Sequence, residues 1–401
     1  MLKGPEHLDD GGEGERRGCR DYRGHAEEED HPGQGERRAA RAAELATTGV
    51  EGLFTFEGPH DVFFPLVAAA TAGVDVDLMT NVAIATPRSP MHLAHAAYDL
   101  QLMSGGRFRL GLGSQIRPHI ENRYGATWSR PAARMREAVL ATRAILTAWQ
   151  DGTRLDFRGE FTKHTLMPPT FVPGPNPHGI APVLLGALGP LMTRAAGEVA
   201  DGLLVMPFHS ERHFRERTLV AVAEGLETSG RDRIDIFPQA IVAMGTTPEE
   251  IEAASVGVRG LLAFYGSTPA YRSVLEIEGR GDLQPELNAL SKTGDIMTMI
   301  DLVDDDLLRT LAVVGTPRGG RGGDLAPLRR RRGPGVRLLP RHPAPDRHHP
   351  RAGRGAAVVV TGRLPGLPPH RQHRDRAGRP PRTAGVRRRR VPRRGRSRAR
   401  A

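Results

Sequence analysis

Residues 91–114, MHLAHAAYDLQLMSGGRFRLGLGS, decide the fold, because they encode a helix, a tight turn and a strand in that order. Leu93, Ala97, Leu100 and Met103 recur at helical spacing, Gly105 and Gly106 stop the helix, and residues 107–113 then alternate with period two. On that strand Phe108, Leu110 and Leu112 share one face, while Gly111 and Gly113 share the other near its C-terminal end. Two readings of these glycines stay open: they make room for a ligand, or they let a neighbouring backbone pack closely. The dinucleotide fingerprint fits poorly, since Ile116 stands where its third glycine belongs and Pro118 interrupts the helix that should follow.

Working outward, the same strand-then-helix alternation recurs. Towards the N-terminus the pattern predicts a helix from residue 39 to Gly49, a strand over 50–56, a polar loop 57–61, a helix over 64–72 and a strand over 78–85. Residues 86–90, TPRSP, suit a helix start, and Arg88 within them reads as a solvated arginine. His92 and His95 read as surface or packing residues. Towards the C-terminus follow a polar loop over 115–131, a long helix over 132–149, and a proline-rich excursion over 151–182 with short extended pieces. Strands are expected at 182–187, 202–206, 234–244 and 260–265, with helices at 191–200, 210–229 and 248–258. Helices at 269–279, 284–292 and 295–314 close the pattern. Repeated units of this kind imply a parallel α/β fold, in which ligands sit at the carboxyl ends of the strands.

Composition divides the chain. Residues 318–401 hold 26 Arg and 3 Asp with no Lys or Glu, whereas residues 1–317 hold 31 basic and 43 acidic side chains. The overall charge of +11 therefore belongs to the tail. Runs such as 329–332 and 387–390 would attract any polyanion in a salt-sensitive way, but no aromatic residue is interleaved for base stacking, so no specific nucleic-acid partner is expected. The single cysteine, Cys19, excludes an internal disulfide and has no metal-spaced companions. No apolar run approaches the roughly 20 residues of a membrane span, and no signal peptide is legible, so a cytoplasmic setting is expected. Residues 1–35 and 318–401 are expected to lack order, leaving 36–317 as the folded domain.

Four segments in order carry a resemblance: residues 87–90 (PRSP), 100–114 (LQLMSGGRFRLGLGS), 189–204 (GPLMTRAAGEVADGLL) and 263–282 (AFYGSTPAYRSVLEIEGRGD). Together they resemble the bacterial-luciferase-like flavin or deazaflavin oxidoreductases, and the last two look most like the branch using 8-hydroxy-5-deazaflavin, coenzyme F420. The resemblance implies a TIM-like (β/α)8 barrel with an insertion region, its cofactor ring at the C-terminal strand ends. It places Glu57, His60 and Asp61 as acid or base beside the ring. It implies a non-proline cis peptide behind the ring near Asn81-Val82. Gly111, Gly113 and Ser114 would line the cofactor tail, and Gly186, Gly189 and Pro190 would offer a helix N-terminus to its phosphate. For Glu57, His60 and Asp61 a solvated loop with a helix cap also stays open, as does an ordinary strand-to-helix turn at Gly189 and Pro190.

The implied activity is hydride transfer between a small organic substrate and F420. An FMN-dependent monooxygenase on the same scaffold is the alternative, and an inactive barrel remnant with a polyanion-binding tail is the third reading. No metal and no membrane partner are implied, and a homodimer is left open. The chain departs from the family at both ends, where the first and eighth strands of the barrel are not recognisable. The abrupt shift at Arg318 to Arg, Gly, Pro and Ala, residues that GC-rich codons encode in any frame, motivates the expectation that both ends are frame-shifted. Without those strands the barrel is expected to be incomplete, with open edges.

Overall fold

The computed structural model describes residues 34–316 together with three two-residue strands further on. The order is α1 (Gln34–Ala46), β1 (Gly52–Thr55), α2 (Phe64–Thr71), β2 (Asp77–Thr80), β3 (Ala83–Ile84), α3 (Pro90–Met103), β4 (Phe108–Gly113) and α4 (Pro131–Asp151). A hairpin of β5 (Phe157–Arg158) and β6 (Lys163–His164) precedes β7 (Val183–Ala187), α5 (Pro190–Val199), β8 (Gly202–Val205), α6 (Glu211–His213) and α7 (Leu219–Ser229). The remainder is β9 (Asp235–Phe237), β10 (Ala240–Met244), α8 (Pro248–Gly266), α9 (Arg272–Ile277), α10 (Leu283–Thr293), α11 (Ile296–Asp301), α12 (Asp305–Leu311) and β11 (Ala312–Gly315). The short strands are β12 (Arg337–Leu338), β13 (Ala357–Val358) and β14 (Gly362–Arg363).

The defining stretch folds as read. The Ser89 hydroxyl accepts the Met91 N–H at 3.2 Å, Pro90 fills the first turn of α3, and Gly105 and Gly106 follow its end with φ of +63° and +88°. β4 is buried at every position except Arg109. Its parallel neighbours set the order β1-β2-β4-β7-β8-β9, a sheet curled into a half-barrel with helices alternating along it. Among the described residues no strand precedes α1, and β1 pairs with β2 alone. The expected incompleteness is therefore present at that edge.

Several expectations need correction. Residues 78–85 are two strands, because Leu78 and Met79 pair with Phe108 and Arg109 while Ala83 and Ile84 pair with Leu112 and Gly113. Four steps on one strand oppose three on the other, so a bulge lies at Asn81 and Val82 and re-aims the side chains there. Residues 260–265 are not a strand but the last turns of α8, whose start carries a Thr247–Glu250 capping box. Their short apolar run is a buried helical stripe packed beneath α10 to α12, and periodicity over six residues does not separate that from a strand. The strand expected over 234–244 breaks at Pro238 into β9 and β10, and β11, whose residues 312–314 were expected within a helix, pairs parallel with β10. A π-helical turn, Phe214–Thr218, interrupts the helix expected over 210–229.

The described residues begin at Gln34, in α1, two residues before the boundary expected at residue 36. The remainder of the expectation for residues 1–35, and most of that for 318–401, lies outside the described residues. Within the tail the strands β12, β13 and β14 are the described residues; β13 leads into the valine run 358–360 and pairs antiparallel with β10.

Close helix packing completes the scaffold. A Cβ at Gly225 would lie 2.2 Å from the Arg194 carbonyl oxygen and one at Gly197 would lie 2.7 Å from that of Val222, so α5 and α7 cross backbone to backbone. Below the sheet, the Asp201 carboxylate accepts from the Val183 N–H and the Arg143 guanidinium, each at 2.8 Å.

Candidate functional site

The loop after β1 is tied down from three sides. Glu57 Oε2 accepts the Ile84 N–H at 2.8 Å and Arg88 Nη1 at 2.6 Å, and its Oε1 accepts the Tyr124 hydroxyl at 2.9 Å. Asp61 accepts the Phe63 N–H at 2.8 Å just before α2 and meets Arg88 Nη2 at 3.3 Å. Arg123 donates to the Gly58 carbonyl at 2.6 Å. The Glu57 side chain is 6% exposed and that of Arg88 20%, so Arg88 is not the solvated arginine expected but the centre of a half-buried ion cluster. Burial works against the Arg88 charge, but the hydrogen bond and charge of Glu57, with Asp61 behind it, hold the guanidinium above its ordinary pKa. Burial and then Glu57 likewise raise the Tyr124 phenol.

His60 stands at the tip of this loop, exposed. Glu57 and Asp61 each give one oxygen to Arg88 and the other to Tyr124 or the Phe63 N–H, whereas His60 lies outside that set of bonds. No sequence signal marked Tyr124, which follows the π-helical turn His119–Arg123.

One strand further in, the Asn81-Val82 peptide is cis. Both glycines of β4 answer to the close-packing reading. A Cβ at Gly111 would lie 2.0 Å from the Thr80 carbonyl oxygen, and the Thr80 hydroxyl both donates to the Gly111 carbonyl and accepts its N–H, each at 2.8 Å. Gly111 thus serves a close backbone approach at the bulge. A Cβ at Gly113 would lie 2.4 Å from Val82 Cγ2, and one at Gly186 would lie 2.9 Å from Val82 Cγ1. Val82, Gly113 and Gly186, from three neighbouring strands, therefore meet at one point. Ser114 continues β4, its carbonyl accepting the Thr86 hydroxyl at 2.9 Å. Gly189 is the N-cap of α5 with Pro190 at the first position, no side chain caps that end, and no atom lies within 4 Å of a Cβ built on Gly189.

Asn81 accepts from Gln239 Nε2 at 3.0 Å, and its own Nδ2 is buried without a hydrogen-bond partner among the described residues. Around it Met79, Leu184 and Leu204, with Phe54, Val82 and Phe237, form an apolar cluster inside the sheet. His95 packs its ring 5.0 Å from that of Trp149, as a packing residue. Among the described residues no group of three or more His, Cys, Asp or Glu could hold a metal, and no helix is long and apolar enough to cross a membrane.

A parallel sheet curled into a half-barrel, with helices alternating along it, defines a TIM-barrel-like fold. The chain belongs to the luciferase-like monooxygenase family, whose sequence pattern matches residues 20–320; members of that family are flavin- or F420-dependent oxidoreductases and monooxygenases. An uncharacterized protein of Mycobacterium tuberculosis is 48% identical over 286 residues, which is 71% of this chain and 84% of that one. A second protein of the same organism, named as a candidate coenzyme F420-dependent oxidoreductase, is 29% identical, again over 71% of this chain and 84% of its own. In fold the chain is similar to the coenzyme F420-dependent tetrahydromethanopterin reductase of Methanopyrus kandleri, with a TM-score of 0.58, 19% identity, and coverage of 74% of this chain and 86% of that one.

Proposed function

We propose that this protein is an F420-dependent oxidoreductase that moves a hydride between a small organic substrate and the deazaflavin. When bound, the cofactor supplies the carbon that accepts or delivers the hydride. The residues present fit such a group: an apolar side chain at the strand ends, a buried amide donor with no acceptor, and an uncapped helix start.

Val82, seated over Gly113 and Gly186, backs the flat ring. Asn81 offers the amide donor at its edge, Ser114 lines the cofactor tail, and Gly113 makes room for Val82. Gly189 and Pro190 begin α5, where free N–H groups and the positive end of the helix dipole favour a phosphate. Gly111 contributes indirectly, by letting Thr80 approach β4. His60 is the proton donor and acceptor, because it is exposed while both carboxylates of the loop are spent on Arg88 and its neighbours. Glu57 and Asp61 clamp Arg88 and so hold that loop in place. A cytoplasmic setting suits a chain with one cysteine in 401 residues.

The observation that supports this reading best is the meeting of Val82 with Gly113 and Gly186 one strand away from the Glu57–Arg88 cluster. The relative named for F420 supports the choice of cofactor. Titration of the purified protein with F420 and with FMN, followed by cofactor fluorescence and by melting, tests it. F420 is expected to be quenched and to raise the melting temperature. Tight FMN binding with none for F420 would favour the monooxygenase reading, and binding of neither would favour an inactive remnant.

A further inference from the structure

Gln239 has no part in the reading above, yet it is 8% exposed and its side chain ends at the site. It lies in the gap between β9 and β10, just as Asn81 lies in the gap between β2 and β3. In sheet order β2 is second and β9 last. The 3.0 Å bond from Gln239 Nε2 to Asn81 Oδ1 therefore joins two distant strands across the inside of the curled sheet.

That bond fixes the Asn81 amide. With the carbonyl taken by Gln239, both amide hydrogens on Nδ2 point the other way, where no described residue accepts them. The adjacent cluster, Met79, Leu184, Leu204, Phe54 and Phe237, supplies only apolar contact. A buried amide without a partner is unfavourable, and native folds retain one where it serves a ligand or stores strain. The residue that follows is Val82, so an oriented donor and an apolar backing stand side by side on the same strand.

We propose that Gln239 is a positioning residue. It holds the Asn81 amide so that Nδ2 donates to an acceptor, a carbonyl oxygen or ring nitrogen, on the edge of the ring lying against Val82. This rests on the proposed cofactor site. Gln239→Glu and Gln239→Met, compared by the spectrum of the bound cofactor, separate positioning from support. At pH 8 a carboxylate at this position only accepts, so the Asn81 amide turns and spends Nδ2 on it; the cross-sheet bond survives with its polarity reversed. The methionine fills the space and makes no bond.

The measurements are the melting temperature without cofactor, the F420 dissociation constant from fluorescence quenching, and the absorption maximum of bound F420. Gln239→Glu is expected to melt lower, because its carboxylate is buried beside an apolar cluster, to bind F420 about three- to tenfold more weakly, as losing one neutral hydrogen bond implies, and to shift the absorption maximum. Gln239→Met should weaken binding to a similar degree and also melt lower. If Gln239→Glu binds as the native protein does, with an unshifted spectrum, Gln239 has only a structural role and the inference is overturned. Should Gln239→Glu not fold, the spectrum of F420 on Gln239→Met decides, an unshifted maximum again overturning it. If the native protein itself binds no F420, the cofactor site and this inference fall together; native binding with unaltered variants overturns the inference alone.

Discussion

Glu57 binds a backbone N–H, a guanidinium and a phenol with two oxygens, so removing it leaves Arg88 charged, half-buried and without its nearest partner. Breaking a buried pair from one side typically costs about 3–5 kcal/mol. Glu57→Ala is therefore expected to lower stability by about that amount in urea unfolding, whereas Tyr124→Phe, which removes one hydrogen bond, should cost about 1 kcal/mol. His60 behaves in the opposite way. Exposed and outside the ion cluster, it contributes little to stability, so His60→Gln should leave the urea midpoint unchanged while turnover falls about 10²–10⁴-fold. A turnover within a factor of three of the native protein would remove the imidazole from the proton path. Residue identity made Glu57, His60 and Asp61 visible in the sequence as a polar group. Their division of labour was not visible, because it depends on Arg88 and Tyr124, which arrive from α3's first turn and from the loop after β4.

The helices that cover the C-terminal part are joined to the barrel side through α6 and α9. The Ser210 hydroxyl donates to Glu278 at 2.5 Å, accepts the His213 N–H at 2.9 Å, and His213 Nε2 lies 3.5 Å from the Ser273 hydroxyl. His213 is 2% exposed with no partner for Nδ1. Burial, with the nearby charge of Arg217, pushes its pKa down from 6.5 to about 4. The unfolded chain binds this proton near pH 6.5 and the folded chain only near pH 4. The stability contributed by the neutral ring is therefore complete above pH 6.5 and is lost as pH falls, about 3 kcal/mol across the window. Urea midpoints measured from pH 7 down to pH 4 should show this slope, and His213→Gln should flatten it; an equal slope in both proteins would contradict the assignment. Element types were legible where caps and long periodicity agreed, as in α3 and β4. They were misread at Gly260 to Tyr265, where a buried apolar run lacks a period, and at Pro238, where one strand became two and carried Gln239 into the site.

At the scale of the whole molecule, the parallel order β1-β2-β4-β7-β8-β9 was implied by the strand-helix alternation, and the incomplete edge beside β1 by the missing first strand. The cis peptide at Asn81-Val82 was legible through family resemblance alone, and the bulge there was not read, since a register slip leaves no mark in hydrophobic periodicity. What the whole arrangement asserts is one site at the C-terminal strand ends, assembled by segments distant in sequence. Hydrogen exchange with and without F420 tests that directly. Bound F420 should protect residues 56–61, 81–88, 113–116 and 186–192 together, leaving the 157–164 hairpin and the α5–α7 crossing unchanged. Protection confined to other segments, or to one of these four without the rest, would contradict the account.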